Sequence, residues 1–581
     1  QTKHRLRMIL PLLILPLASS LTNFPIVRTS YGAVQGIEYQ AVNGFVGEIF
    51  KKIPFASPPV GELRWKKPVP PEPWNHTLDG TFFGPACAQH PTYYDGYVTG
   101  FSEDCLLLNI YTSKACRESN ASCPVAIFIH GGNAITGGTM SFSDEALVTN
   151  FASQGIIMVT VAYRLGVFGA MTLGDENVLP SNLFAHDVLE SIRFTRQEIH
   201  NFGGDKDQIA IMGHSTGATM VLIITLSPGI NRRGEELFAR AIAMSASPIL
   251  KKKEKQVERS NAVAAVLGCN GTAQEIVDCL LPFSTDQLVD AAYEAGEDDA
   301  EKMLLDITIA GELMPIRSMR ELGKNRKPTK MLLGTTSLEL GTEETSKETD
   351  YVNLILGIRN EEECSEKYKR DTESGLFDPG YSLISQATFM LSWVISHGQS
   401  KNGAEVNLYQ FDDPVNAHHG DDTYFVVRSP ENSTNENEDW LNRIYPLYFT
   451  NFIKGLPLPQ DWRLVDPGLM NYYSINKSIA DGIEPKMQLG YHKLIADYYA
   501  EMMIFDANLS KINRMVYKSP VQQKALNLLT STESFSISDL FVYFSVFGVI
   551  ILIAFKIYHL CRTRKSPEKI PILSDRWISN N

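Results

Sequence analysis

A serine enclosed by two glycines is the residue of this chain whose setting best suits nucleophilic chemistry. Ser215 is the centre of Gly213-His214-Ser215-Thr216-Gly217, which fits the pattern G-x-S-x-G. The apolar run 209–212 precedes it as a buried strand would, and the apolar run 218–226 follows it as a buried helix would. The turn between them must be sharp, and glycine on both sides leaves room for it. Because a serine hydroxyl is a poor nucleophile alone, the pattern also requires a base within hydrogen-bond reach.

The composition is that of an acidic globular protein. The chain has 581 residues, 44% hydrophobic and 20% charged, which is enough for one large domain or a few smaller ones. Its formal net charge is −13, and a nucleic-acid partner would require a basic face, so the charge argues against one. There is no P-loop, no G-x-G-x-x-G after a strand and no Cys/His cluster at zinc spacing. We therefore predict no cofactor and no metal.

Both ends of the sequence resemble membrane-targeting segments. Residues 1–20 combine a basic start, an apolar run and small residues, which predicts a secretory signal peptide, with Met8 as one candidate for the true start. Near the other end, the uncharged run 540–555 would extend about 24 Å as a helix, and about 33 Å if continued to residue 561. Basic residues follow it and acidic residues precede it, so the tail is expected in the cytosol.

These patterns predict a single-pass protein whose large domain is extracellular or lumenal, in the cell membrane or a secretory-pathway membrane. The expected segments are an ectodomain at 24–529, a stalk at 530–539, a transmembrane helix at 540–561 and a cytoplasmic tail at 562–581. Six N-x-[ST] sequons lie on the predicted outside and predict a glycoprotein. They are Asn75, Asn120, Asn270, Asn432, Asn476 and Asn508.

Six of the eight cysteines fall into close pairs. In an oxidising compartment this spacing predicts three local disulfides that close small loops. The pairs are Cys87 with Cys105, Cys116 with Cys123, and Cys269 with Cys279. Cys364 is left over, and Cys561 lies at the inner edge of the predicted membrane helix.

Between residues 24 and 529, strand-like apolar runs alternate with helical ones. This alternation predicts an α/β domain with a large, mostly parallel central sheet flanked by helices. Strands are expected at 125–129, 156–162, 209–212, 331–333 and Val406–Phe411. In such an open sheet, active groups gather at the carboxyl ends of the strands, so we expect the partners of Ser215 to follow other strands of this set.

Further motifs, in a consistent order, resemble those of the type-B carboxylesterases, the α/β-hydrolase family that includes carboxylesterases, cholinesterases and neuroligins. The motifs are Ile53-Pro54-Phe55-Ala56, the run from Pro58 to Trp65, Ser102-Glu103-Asp104-Cys105-Leu106, His130-Gly131-Gly132, Tyr163-Arg164-Leu165-Gly166, Asn201-Phe202-Gly203-Gly204-Asp205, the serine motif and His419-Gly420-Asp421-Asp422. The resemblance covers about residues 24–529. It implies the α/β-hydrolase fold and hydrolysis of a small-molecule carboxylic ester through an acyl-enzyme intermediate.

The acid partner of Ser215 is expected after a later strand, because this fold uses the chain order Ser…Asp/Glu…His. Glu339 follows the predicted strand at 331–333, in a loop similar to the family's acid loop. Glu343 and Glu344 compete with it, but they lie in a charged run that is more typical of a solvated loop.

The base must come later still, and five histidines follow Glu339. They are His397, His418, His419, His492 and His559. His559 belongs to the predicted membrane segment, and His397 and His492 lie in helix-like stretches. The match to His-Gly-Asp-Asp favours His419 as the base and leaves His418 as its neighbour.

The resemblance also implies an oxyanion hole made of the backbone N–H groups of Gly132, Asn133 and Thr216. Asn133 stands where the family usually has a third glycine, and a side chain there could crowd the hole. Thr216 replaces an alanine, His214 a glutamate and Leu340 a glycine. No triad group is lost, so we expect these differences to narrow the pocket or lower the rate rather than to remove the machinery.

Two rival functions come from the same family. A neuroligin-like adhesion protein, catalytically weak or inactive, would share the anchored topology, but the serine of such proteins is typically replaced and Ser215 is not. A cholinesterase would need a tryptophan for the cationic choline head, and the loop from Cys87 to Cys105 has tyrosines but no Trp. We therefore predict a membrane-anchored extracellular carboxylesterase; the sequence carries no indication of its oligomeric state.

Overall fold

A computed structural model describes residues 24–93, 100–119, 122–231, 236–296, 307–309, 311–324, 329–341, 350–413, 417–428, 435–459 and 461–517. The predicted signal peptide, stalk, transmembrane helix and tail lie outside these residues, as does Cys561. Among the helices of the described residues, none combines the length and the apolar character that crossing a membrane requires.

The strands, in chain order, are β1 Ile26–Arg28, β2 Ala33–Gln35, β3 Ile37–Gln40, β4 Val46–Pro54, β5 Thr77–Asp79, β6 Ala86–Cys87, β7 Phe101–Ser102, β8 Leu107–Thr112, β9 Cys123–Ile129, β10 Ile157–Val161, β11 Gly204–His214, β12 Arg240–Met244, β13 Leu250–Lys252, β14 Ile307–Ile309, β15 Lys330–Thr336, β16 Val406–Phe411, β17 Tyr472–Ile475 and β18 Lys486–Gln488. The α-helices are α1 Lys114–Glu118, α2 Asp144–Asn150, α3 Gly166–Gly169, α4 Leu183–Glu198, α5 Thr216–Leu226, α6 Pro228–Asn231, α7 Lys253–Val266, α8 Ala273–Leu280, α9 Thr285–Glu294, α10 Met319–Lys324, α11 Asp350–Leu356, α12 Glu361–Glu373, α13 Leu383–Lys401, α14 Thr423–Val427, α15 Glu436–Lys454 and α16 Lys493–Tyr517.

Eleven of these strands form the central sheet, in the order β18-β17-β16-β15-β12-β11-β9-β10-β8-β4-β3. The seven strands from β17 to β10 in this order are parallel to their neighbours. β18 at one edge and β8, β4 and β3 at the other pair antiparallel. The prediction of a large, mostly parallel sheet flanked by helices is confirmed, and this arrangement is the α/β-hydrolase fold.

The central strands are buried on both faces, which is why their sequences are continuous apolar runs. Along β9, the side chains of Val125, Ile127 and Ile129 belong to one hydrophobic layer. The alternate side chains of Ala126 and Phe128 belong to the layer on the other face. Helices cover both layers, so the strand ends, rather than the faces, are open to a ligand.

The described residues contain three disulfides, in the pairs that the spacing predicted. Their Cα–Cα distances are 5.0 Å for Cys87–Cys105, 5.7 Å for Cys116–Cys123 and 5.7 Å for Cys269–Cys279. Cys364 is a free, buried cysteine, and burial raises the pKa of its thiol to about 12, which keeps it protonated at neutral pH.

Four of the six predicted glycosylation sites lie within the described residues. Asn75, Asn270 and Asn508 are exposed, and Asn476 is partly buried. Asn120 and Asn432 lie outside the described residues, and glycosylation of all six stays a prediction.

Candidate active site

Ser215 occupies the sharp turn between β11 and α5. Its backbone dihedrals are φ 56° and ψ −126°, a combination that a residue with a side chain rarely adopts. A Cβ on Gly213 would lie 2.5 Å from the carbonyl carbon of Gly217, and a Cβ on Gly217 would lie 2.2 Å from the carbonyl oxygen of Ile129. Both positions therefore require glycine, and the turn presents the serine hydroxyl at the end of the sheet.

The structure brings Ser215, His419 and Glu339 together from three separate strand ends. The His419 Nε2 atom lies 2.9 Å from the Ser215 Oγ atom, and His419 Nδ1 lies 2.5 Å from Glu339 Oε2. Glu339 follows β15 and His419 follows β16, as the parallel order of these strands requires. The backbone N–H of His419 also donates to the carbonyl of Glu339 at 2.9 Å, so the two loops are joined directly.

Glu339 is held by its own loop. Its side chain is fully buried, and its Oε1 atom accepts a hydrogen bond of 2.9 Å from the backbone N–H of Thr336. With one oxygen bound there, the other is left for His419. Glu339 has a φ of 38°, in the left-handed region, which turns the chain sharply after β15.

Nearby carboxylates raise the pKa of His419. Burial by itself disfavours the imidazolium, but the charge and hydrogen bond of Glu339 outweigh it, and the pKa of His419 lies above its ordinary value. The carboxylates of Asp422 and Asp421 act in the same direction. Asp422 is itself unusual, because burial raises its pKa to about 7 even though the Tyr445 hydroxyl donates to its Oδ2 atom at 2.9 Å.

A second histidine packs beside the first. The ring of His214 lies 4.7 Å from the ring of His419, centroid to centroid. Burial lowers the pKa of His214 well below its ordinary value, and the positive charges of His419 and Arg428 lower it further. His214 is therefore neutral at physiological pH. It places no anion next to His419, unlike the glutamate that is usual at this position.

The loop after β9 has an unusual backbone. Gly132, Asn133 and Ala134 all have positive φ, at 104°, 53° and 57°. A Cβ on Gly132 would lie 2.1 Å from the carbonyl oxygen of Thr136, so only glycine fits there. Asn133 is exposed, and asparagine tolerates the left-handed conformation better than most residues.

Two of the three predicted oxyanion donors line the same cavity as Ser215 and His419. Gly132 and Asn133 form part of the wall beside Ser215, and Thr216 is the first residue of α5. Within the described part of the chain, the backbone N–H groups of these three residues donate to no other group. Unpaired N–H groups at a helix start and in a glycine loop suit a developing negative charge.

The cavity above Ser215 has a volume of about 550 Å³, within the usual range for small-ligand sites. Its polar lining includes Ser215, His419, the glycine loop and the guanidinium of Arg428. Apolar side chains form much of the remaining wall, including Tyr93, Phe142, Ile249, Leu340 and Ile384. The chemistry that the site can support is attack by a serine oxygen on the carbonyl group of a partly apolar compound.

The competing histidines lie elsewhere. His397 stacks on Trp393 and His492 stacks on Phe389, with ring centroids 4.7 Å and 3.5 Å apart. Burial lowers their pKa values to about 4 and about 3, so both are neutral packing residues. His418 is exposed. Glu343 and Glu344 lie outside the described residues. Sequence reasoning did not single out Asp422 or Arg428 as site residues.

Comparison with known proteins agrees with this geometry. The model of the carboxylesterase family matches residues 23–492, most of the chain. This chain belongs to the carboxylesterase family. Carboxylesterase 1C of Rattus norvegicus is 28% identical to it over 488 residues, which cover 74% of this chain and 85% of the rat protein.

Two invertebrate relatives match over a shorter region. Juvenile hormone esterase of Tribolium castaneum is 37% identical over 275 residues, 46% of this chain and 45% of the beetle protein. Gut esterase 1 of Caenorhabditis elegans is 36% identical over 274 residues, 47% of this chain and 46% of the worm protein. The chain thus spans about half the length of these two relatives.

Proposed function

We propose that this protein is a serine carboxylesterase that hydrolyses carboxylic esters through an acyl-enzyme intermediate. The observation that carries the proposal is the pair of hydrogen-bond distances on His419, 2.9 Å to the Ser215 hydroxyl and 2.5 Å to the Glu339 carboxylate. Family membership and the esterase names of the relatives support the same reaction class.

The reaction proceeds in two similar halves. His419 accepts the Ser215 proton as the oxygen attacks the ester carbonyl, and then gives that proton to the leaving alcohol. Glu339 holds the imidazole with Nε2 free to accept and stabilises the cation that forms. The N–H groups of Gly132, Asn133 and Thr216 receive the negative charge of the tetrahedral oxygen. Water then repeats the sequence and releases the acid.

We further propose that the enzyme is anchored in the cell membrane or a secretory-pathway membrane by one helix at 540–561, with its catalytic domain outside. The support is the sequence pattern of the two ends and the presence of three disulfides, which persist in an oxidising compartment. Alkaline carbonate extraction of expressing cells tests this: the full chain should stay with the membrane, and a chain ending at residue 535 should be released.

The function is tested with the full chain, expressed in cells that pass it through their secretory pathway. Turnover of a short-chain aryl ester is expected, together with covalent labelling of Ser215 by an organophosphate, located by mass spectrometry. A neuroligin-like adhesion role would be favoured instead if a folded, membrane-inserted protein gave neither turnover nor label.

Adding a single methyl group at Gly132, in the loop after β9 that carries two of the proposed oxyanion donors, should impair catalysis. Gly132→Ala is expected to lower kcat about 10²–10³-fold, the usual effect of losing one donor, because the new Cβ would meet the Thr136 carbonyl and displace the loop. Gly375→Ala is the matched control, since Gly375 has a positive φ of 68° but open space around its Cβ position. Steady-state kinetics on the aryl ester should leave the control within about threefold of the parent; equal loss in both variants would contradict the assignment.

The pH dependence follows from the raised pKa of His419. The base must be neutral, so kcat/KM for an uncharged ester should rise with pH through a midpoint above 6.5 and be lost as pH falls through it. The rate of labelling by an uncharged organophosphate should follow the same limb, because it needs the same neutral base. A midpoint at or below 6.5 would show that the Glu339 carboxylate does not act on His419 in solution.

A further inference from the structure

One wall of the active-site cavity carries a guanidinium that the hydrolysis of a simple ester does not use. Arg428 lines the cavity together with Thr423, Val427 and the catalytic residues Ser215 and His419. Among the described residues of the lining, it is the one with a permanent charge. The cavity therefore presents a permanent positive charge to a bound ligand.

Arg428 has no anionic partner among the residues that the structure describes. It makes no ion pair and no hydrogen bond with the described residues, and its Nε atom is buried without an acceptor. Its guanidinium carbon lies 5.3 Å from the ring centre of Tyr424, which is a cation–π contact. A guanidinium has five donors in a planar fork, so this contact leaves its hydrogen-bonding capacity unfilled.

The buried carboxylates near the site, Glu339 and Asp422, already have hydrogen-bond partners other than Arg428. Glu339 is bound to His419 and to the backbone of Thr336. Asp422 accepts from Tyr445, and burial raises its pKa to about 7, so it is a weak counter-ion at neutral pH. The charge of Arg428 nevertheless reaches the reaction centre, because it contributes to lowering the pKa of His214.

The backbone before Arg428 is fixed relative to the base. The helix α14 begins four residues after His419 and ends at Val427. Asn150 donates from its side chain to the carbonyls of Phe425 and Val426 at 3.1 and 2.9 Å, and the backbone N–H of Ser143 donates to the carbonyl of Val427 at 3.3 Å. The cation is thus carried on a short helix tied to α2, which restricts the distance between the anchor point of Arg428 and the catalytic imidazole.

We propose that Arg428 binds an anionic group of the substrate, and that the preferred substrates are carboxylic esters that also carry a free carboxylate. This inference rests on the proposed esterase function and names the substrate class of that site. A carboxylate can pair with the guanidinium in a bidentate manner, which supplies both affinity and orientation while the ester carbonyl lies at Ser215. The apolar walls would accommodate the chain between the two groups.

The test compares esters of closely matched shape, one with a carboxylate and one without. One pair is the para-nitrophenyl monoester of adipic acid and the corresponding ester in which an isopropyl end replaces the carboxylate. The second pair is para-acetoxybenzoate and para-acetoxybenzamide, which places the anion on the alcohol side. The quantity measured is the ratio of kcat/KM for the charged ester to that for the neutral ester, because the ratio cancels general damage to the site.

In at least one pair, Arg428→Gln is expected to lower this ratio about 10- to 100-fold, the range of a charge-assisted hydrogen bond to a carboxylate. The ratio for Arg428→Lys should lie between those of the unmodified enzyme and of Arg428→Gln, since lysine keeps the charge but loses the bidentate fork. The ratio for the unmodified enzyme should also fall as salt is added. An unchanged ratio in both pairs would overturn the inference while leaving the esterase function intact.

Inhibition of the unmodified enzyme provides a second measurement that does not depend on a variant folding. Adipate should compete with the neutral aryl ester at least about tenfold more tightly than uncharged adipamide. Equal inhibition by the two would overturn the inference. If neither ester of either pair is turned over and Ser215 takes no organophosphate label, the esterase function itself fails, and the inference with it.

Discussion

Replacing Ser215 or His419 with alanine is expected to lower kcat on an aryl ester at least about 10⁴-fold, and the double variant should be no worse than either single one. The two side chains act as one unit across the 2.9 Å hydrogen bond, so removing either leaves the other without a function. The residual rate should come from the oxyanion donors and from binding. Steady-state kinetics on the three variants measure this directly.

His418→Ala is the matched control for this experiment. His418 is the neighbouring imidazole in the same loop, is exposed, and forms no hydrogen bond to Ser215 or Glu339 in the structure. We expect its kcat to remain within about threefold of the parent. Losses that add up in the double variant, or a large loss in His418→Ala, would show that the imidazole acting on Ser215 is not that of His419.

The sheet and the triad could be predicted because their requirements are local. Strands β9 and β10 are buried on both faces, so continuous apolar runs marked them, and the observed bounds differ from the predicted ones by a few residues. β11 proved much longer than predicted, beginning at Gly204, because its first half pairs with β9 through an irregularity and carries polar residues. Polar residues in a strand give no apolar pattern to recognise.

The remaining site residues depend on contacts between distant parts of the chain. Asp422 belongs to the His-Gly-Asp-Asp motif, but its pKa is raised by burial, and the hydroxyls of Tyr409 and Tyr445 that oppose this rise come from β16 and α15. Arg428 is, in the sequence, one basic residue after an apolar run. Its position on the cavity wall follows from the way Asn150 and Ser143 anchor α14, which no local pattern records.

Glu339→Gln is expected to lower kcat about 10⁴-fold without disturbing the fold. The amide keeps the shape of the carboxylate but loses its negative charge and its ability to accept the proton of His419 Nδ1 with Oε2. The glutamine oxygen can still accept the Thr336 N–H, so its NH₂ group would face His419 Nδ1. The imidazole would then have to accept at Nδ1 and carry its proton on Nε2, which is the wrong tautomer to receive the serine proton. Steady-state kinetics on the aryl ester measure the loss, and Glu312→Gln, at an exposed ion pair with Lys67, is the control that should change nothing.

The same variant predicts the direction of a pH shift. The Glu339 carboxylate raises the pKa of His419, so its removal should move the rising limb of the kcat/KM profile to lower pH, and the small residual activity should extend further into acid than that of the parent. A structural defect alone would reduce the rate without moving the limb. A loss of less than about tenfold, or a limb displaced to higher pH, would mean that the carboxylate at Glu339 neither orients the imidazole nor stabilises its cation.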